Sequence, residues 1–234
     1  MCKSFLLACS LLMLAACACA AQTPPRPADA VPPQGGAPAS RRVEGQTLVS
    51  AGRPALRIKF DRAFKYAGTQ TFILYDVARA EQHFFVDADK DGRIRRLYWV
   101  QFEGYLPTNQ HTYDYSETKE KINLGGFEFV TDAVAVNLAA VLSQRTDSDG
   151  ARARAFLESK GYRVAGNDIM WRRLVHLTDA SRRDELLIIY LEDMDGTGLT
   201  AADVTGQGRA AARWPEISRQ LLKRATQGIE IKRN

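Results

Sequence analysis

The sequence predicts an α+β fold, an antiparallel sheet built from hairpins and covered by several helices, one of them at the C-terminus. Three observations carry that reading. Apolar and polar residues alternate at strand spacing, turn-forming residues separate those runs, and stretches of helical period fall between them. Residues 47–50 and 55–60 read as short strands, the second with Leu56, Ile58 and Phe60 on one side. Residues 71–77, rich in β-branched and aromatic side chains, pair with residues 83–87 across residues 78–81. Asp91-Gly92 then turns the chain into a long strand over residues 93–106, closed by Pro107. Glycine supplies the positive φ that a tight hairpin turn requires.

The second half mixes types. Residues 130–143 read as a helix, with Thr131 as N-cap and Val134, Leu138, Val141 and Leu142 as its apolar stripe. A further helix covers residues 148–160, with Ala153, Phe156 and Leu157 on one face and Gly161 as its stop. Residues 169–177 and 185–192 return to strand across the polar stretch 178–184. Thr200 and Asp203 form a variant capping box. Pro215 opens a final helix carrying Ile217, Leu221, Leu222 and Ala225, ended by Gly228.

Of 234 residues, 45% are hydrophobic and 25% charged, with 32 Lys+Arg against 27 Asp+Glu. Those proportions exclude a polytopic membrane protein, a collagen and a wholly disordered chain. All four cysteines (Cys2, Cys9, Cys17, Cys19) and six of the nine prolines precede residue 43. The sequence therefore divides into a signal over residues 1–21, a Pro-rich stretch over 22–42 and one globular domain over 43–234. That domain contains no cysteine, which removes disulfide and thiolate chemistry.

Lys3 is the only charge before Arg26, and an apolar run over residues 5–14 follows it, then a cluster of small residues. This is the layout of a secretory signal, with an apolar run too short to span a bilayer comfortably. Leu14-Ala15-Ala16-Cys17 resembles the lipobox of bacterial lipoproteins. The resemblance implies that Cys17 is diacylated and becomes the new N-terminus. With Ala18 rather than Asp next to it, it also implies anchoring to the outer membrane, facing the periplasm. Ordinary cleavage near Ala20 or Ala21 is the alternative, and it leaves a soluble periplasmic or secreted protein. Pro24, Pro25, Pro27, Pro32, Pro33 and Pro38 make the next stretch an extended, solvated tether, because it has too little apolar surface to offset its ordering entropy.

No catalytic residue or cofactor is assigned. The histidines His83, His111 and His176 show no H-x-x-x-H or H-x-H spacing, and no G-x-S-x-G, P-loop or dinucleotide motif is present. Asp87, Asp89, Asp91, Gly92 and Ile94 match the first places of a calcium loop, in which alternating carboxylates supply hard oxygen ligands. Arg95 and Tyr98 stand where its later ligands belong, and a polar hairpin turn accounts for the same residues. The clusters Arg93, Arg95 and Arg96, Arg172 and Arg173, and Arg182 and Arg183 read as a solvated basic face rather than a nucleic-acid surface. The expected protein is a non-enzymatic envelope lipoprotein that binds an unknown small molecule or envelope partner. The alternatives are an envelope hydrolase with dispersed Asp, Glu and His, and an envelope assembly factor.

A ligand is expected beside the strand over residues 97–105. Side chains alternate across a sheet, so Tyr98, Val100 and Phe102 face the core while Trp99, Gln101, Glu103 and Tyr105 share the other face. That second face joins aromatic bodies to hydrogen-bonding groups, the composition of a ligand pocket. In extended form the following segment puts His111, Tyr113 and Tyr115 on one side, where a loop folding back closes the pocket. The alternative is a face packed against a helix, with Gln101 and Glu103 at its wet margin.

Overall fold

Strand alternation dominates the chain and organises two sheets. The structure, a computed structural model, describes residues 40–144, 146–164 and 166–234; Cys17, the expected signal and the expected tether as far as residue 39 lie outside the described residues. The strands β1 (Arg41–Glu44), β2 (Thr47–Ser50) and β3 (Leu56–Phe60) join β12 (Ile229–Arg233) in a small sheet of order β1-β2-β3-β12. The strands of the larger sheet are β4 (Lys65–Leu74), β5 (Ala78–Ala88), β6 (Arg93–Tyr105), β7 (Lys121–Leu124), β8 (Phe127–Asn137), β10 (Asp168–Leu177) and β11 (Asp184–Asp193). Their order is β4-β5-β6-β11-β10-β8-β7, all antiparallel, and the two-residue β9 (Arg163–Val164) adds to β6 in parallel. The helices are α1 (Leu138–Gln144), α2 (Asp149–Ser159), α3 (Ala201–Val204) and α4 (Trp214–Gln227). The α+β class, the hairpins and the C-terminal helix are those the sequence predicts; the small sheet is an addition.

The larger sheet has two unlike faces. On one, Phe85, Tyr98, Val100, Leu174, Ile188 and Tyr190 meet Leu48, Ile58 and Phe60 of the small sheet and Leu221 and Ala225 of α4. The Phe60 and Phe85 rings stack at 3.8 Å between centroids, and the buried Tyr98 hydroxyl donates to the Ala225 carbonyl at 2.8 Å. On the opposite face Phe84, Val86, Leu97, Ile169 and Leu191 pack beneath Ala153 and Leu157 of α2. That helix covers one end of the face and leaves the other to polar side chains.

Local chemistry fixes the element ends. Gly92 adopts φ +75° in the turn between β5 and β6, and the Gly161 carbonyl occupies the space a Cβ would need. Glycine is therefore required there twice over. Ser148 caps α2 by accepting the Ala151 N–H, and Thr200 with Asp203 forms the predicted capping box on α3. Gly228 closes α4. The turn between β4 and β5 falls at residues 75–77, with Tyr75 and Asp76 at φ 49° and 58°, rather than at residues 78–81.

One expected element is corrected. Residues 130–137 belong to β8, not to a helix, and α1 starts only at Leu138, where the Asn137 carboxamide accepts the Ala140 N–H. Val130, Val134 and Val136 are β-branched and suit a strand, and pairing with β10 along residues 168–175 satisfies their backbone.

Candidate functional site

The uncovered part of the second face is a layer of polar side chains held in strand register. Gln82 on β5 stands opposite Gln101 on β6, and Glu103 on β6 stands opposite Glu185 on β11. Arg173 on β10 stands opposite Asp132 on β8 and pairs with it. Amide hydrogen bonds run through this layer in one direction. Gln70 donates to Gln82 Oε1 at 2.7 Å, Gln82 donates to Gln101 Oε1 at 2.7 Å, and Gln101 donates to the Glu103 carboxyl. The Trp99 indole N–H adds a bond to Gln101 Oε1 at 3.1 Å. Each donor in the chain is aligned toward Glu103, an arrangement in which successive bonds polarise one another.

The segment over residues 106–120 folds back over β6 and seals the layer. The Tyr113 hydroxyl donates to Glu103 Oε1 at 2.8 Å, and the Tyr115 hydroxyl donates to Glu185 Oε2 at 2.7 Å. The β10–β11 hairpin clamps this segment: Arg182 pairs with Asp114 at 2.9 Å, and Arg183 donates to the carbonyls of Leu106 and His111. From the other side the start of α2 closes in, with Asp149 accepting the Gly150 N–H.

Burial controls the electrostatics. Gln82 and Gln101 are buried, and Glu185 is 4% exposed. Burial pushes the Glu185 carboxyl up to about 8, with Glu103 and Asp149 adding repulsion while Tyr115 and Arg173 oppose it. Burial also raises Glu103, outweighing the bonds from Tyr113 and Gln101, and it raises Asp149. Cross-strand partners have Cβ atoms about 5 Å apart. Burial first, and repulsion from Glu103 after it, therefore favour the protonated form of Glu185.

A cleft of ≈ 410 Å³ opens at the end of the same strands, between the larger sheet and Arg41 and Arg53 of the small sheet region. Gly104 forms part of its floor, with Arg79 on the β5 side and Asp184 on the β11 side in one cross-strand row. Arg41 pairs with Glu81 at 2.8 Å and lies over the Phe102 ring at 3.8 Å, whereas Arg53 pairs with Asp179 at 2.9 Å. Arg79 and Asp184 have no ion pair or side-chain hydrogen bond among the described residues. Glu103, Tyr105 and Glu185 also border the cleft, and Tyr105 stacks on Tyr113 at 4.5 Å.

The residues singled out from sequence are thus divided. Trp99, Gln101, Glu103 and Tyr113 meet in one hydrogen-bonded chain, and only Glu103 and Tyr105 of the set border the cleft. Trp99 packs against Phe84 within the apolar cluster under α2. His111 is exposed and its ring lies 6.0 Å from Tyr105. Sequence reasoning missed Glu185, Asp149, Arg79 and Asp184. A carboxylate at the head of the apolar run of β11 was the available signal for Glu185.

Asp87, Asp89 and Asp91 turn to separate partners. Asp87 is held by Arg95 and Arg96, Asp89 accepts the backbone N–H groups of Asp91 and Arg93, and Asp91 pairs with Lys90. Among the described residues no three His, Asp or Glu side chains group in a way that could hold a metal ion. The arginine clusters are largely engaged in the fold: Arg172 is buried, with Glu120, Thr131 and Ser218 as its partners. Comparison with family models, with curated proteins and with solved structures finds no match.

Proposed function

We propose that this chain is an exported lipoprotein whose domain binds a small polar molecule in the envelope without transforming it. Acyl chains on Cys17 hold it to the outer membrane, and the Pro-rich tether carries the domain into the periplasm. Among the described residues no helix is long and apolar enough to cross a membrane. The binding part of the reading rests on one observation, the ≈ 410 Å³ cleft in which Arg79 and Asp184 stand unpartnered on either side of Gly104. Preformed concave sites with a few convergent polar groups are where small molecules bind.

An envelope hydrolase is the second reading, and the Glu103–Glu185 pair favours it, since a proton-holding carboxyl beside another is the apparatus of acid–base chemistry. Against it, the hydroxyls of Tyr113 and Tyr115 already bond both carboxyls, which border the cleft with those bonds in place. Native mass spectrometry tests the binding reading. The full-length protein, extracted from its own host in mild detergent, is expected to carry a non-covalent adduct of a few hundred daltons. A mass equal to that of the bare protein, unchanged after incubation with a periplasmic extract, contradicts it.

A further inference from the structure

Gly104 lies within β6, and its φ is outside the left-handed region, so the backbone does not demand glycine there. Glycine inside a strand weakens it, and it commonly marks a place where another group approaches closely. Here the group is the Asp184 carboxylate, which occupies the space where a Cβ on Gly104 would project. Arg79, opposite Gly104 on β5, sends its side chain to the same face by strand alternation. The missing side chain therefore gives the Asp184 carboxylate room to lie over β6, in the same cross-strand row as Arg79.

The cleft is close to charge-balanced. The guanidinium of Arg41 is answered by Glu81, and that of Arg53 by Asp179. Glu103 and Glu185, which also border the cleft, are bonded by Tyr113 and Tyr115, so Arg79 and Asp184 remain without partners among the described residues, one cation and one anion. Arg79 is exposed and Asp184 half-buried, so a ligand carrying a single charge would answer one of them and leave the other to water, whereas one carrying both charges answers both. A neutral ligand would leave both.

We infer that the cleft takes a zwitterion bearing an ammonium and a carboxylate, of the size of an amino acid or a short peptide, with the ammonium against Asp184 and the carboxylate against Arg79. The inference rests on the proposed binding function and narrows its ligand class. A carboxylate matches the forked donors of arginine, and an ammonium matches the point acceptor of aspartate. Tyr105 and Leu106, which also border the cleft, offer surface to an apolar side chain or peptide unit.

The test is calorimetric titration of the full-length protein in detergent, first unfolded and refolded to remove any carried ligand. The probes are alanine, dialanine, N-acetylalanine and alanine amide. Alanine or dialanine is expected to bind, the choice between them separating a free amino acid from a peptide. Both blocked analogues, and both Arg79→Gln and Asp184→Asn, should weaken that binding about tenfold or more. The two substitutions touch side chains with no partner in the fold, so the melting temperature serves as a check that the variants fold normally. Equal binding of the blocked analogues overturns the inference, as does binding unaffected by either substitution. No heat with any of the four probes also overturns it. If the protein from its host nonetheless carries an adduct, the binding reading stands and the zwitterion alone fails; if it carries none, both fail.

Discussion

Glu185 shows how a single side chain can set the pH response of the domain. Its carboxyl is buried between Glu103 and Tyr115 and is pushed up to about 8, whereas in the unfolded chain it titrates near about 4.3. Between those values the unfolded state binds fewer protons than the folded state, so stability is full at acid pH and falls as pH rises. The slope reaches about 1.4 kcal/mol per pH unit for one such group. Glu103 and Asp149, both raised by burial, act in the same direction. Chemical denaturation between pH 5 and pH 8 should therefore show the wild type losing stability. Glu185→Gln, which keeps an acceptor for the Tyr115 hydroxyl without a titrating proton, should lose distinctly less. Equal slopes for the two proteins would falsify the assignment. The amphipathic face of β6 was legible because alternation places Trp99, Gln101 and Glu103 together from spacing alone. Glu185 was not, since its position opposite Glu103 depends on a pairing between strands about eighty residues apart.

At the scale of elements, α2 decides where the second face is dry and where it is polar. Leu157 and Ala153 press on Phe84, Val86 and Leu97, while the N-terminal turn of the same helix brings Asp149 to the polar layer. Leu157 is 3% exposed, so Leu157→Ala removes a packed side chain and should cost about 3 kcal/mol. The loss is expected in denaturant unfolding, together with faster hydrogen exchange along α2. A cost under about 0.5 kcal/mol would show that the helix is not fastened there. Elements with local signals were readable: the turn at Gly92, the capping box on α3, and α4 from Pro215 to Gly228. The short strands β2 and β3 were readable from their apolar residues, whereas β1, β7 and β12 were not, because exposed polar residues interrupt them and their pairing partners decide them. β12 pairs with β3, from the opposite end of the domain. Residues 130–137 misled for another reason: Val134 and Leu138 sit four apart, a spacing that fits a helical stripe as well as one face of a strand.

For the whole molecule, the proposed anchor and the cleft belong to one arrangement, a binding domain carried on a tether from a membrane. Among the described residues no helix is long and apolar enough to cross a membrane, and the proposed attachment is through acyl chains, of which two are needed for stable anchoring. Cys17→Ala should therefore leave the membrane fraction or accumulate unprocessed, with its ligand binding unchanged when measured on the extracted protein. Retention of processed Cys17→Ala in washed membranes would assign the attachment to something other than acylation. The most direct test of the lipoprotein reading is the denatured intact mass of the protein taken from its host's membranes. The predicted polypeptide begins at Cys17 and carries the added mass of at least two acyl chains. A polypeptide beginning at Ala21 or Gln22, with no acyl mass, would contradict it.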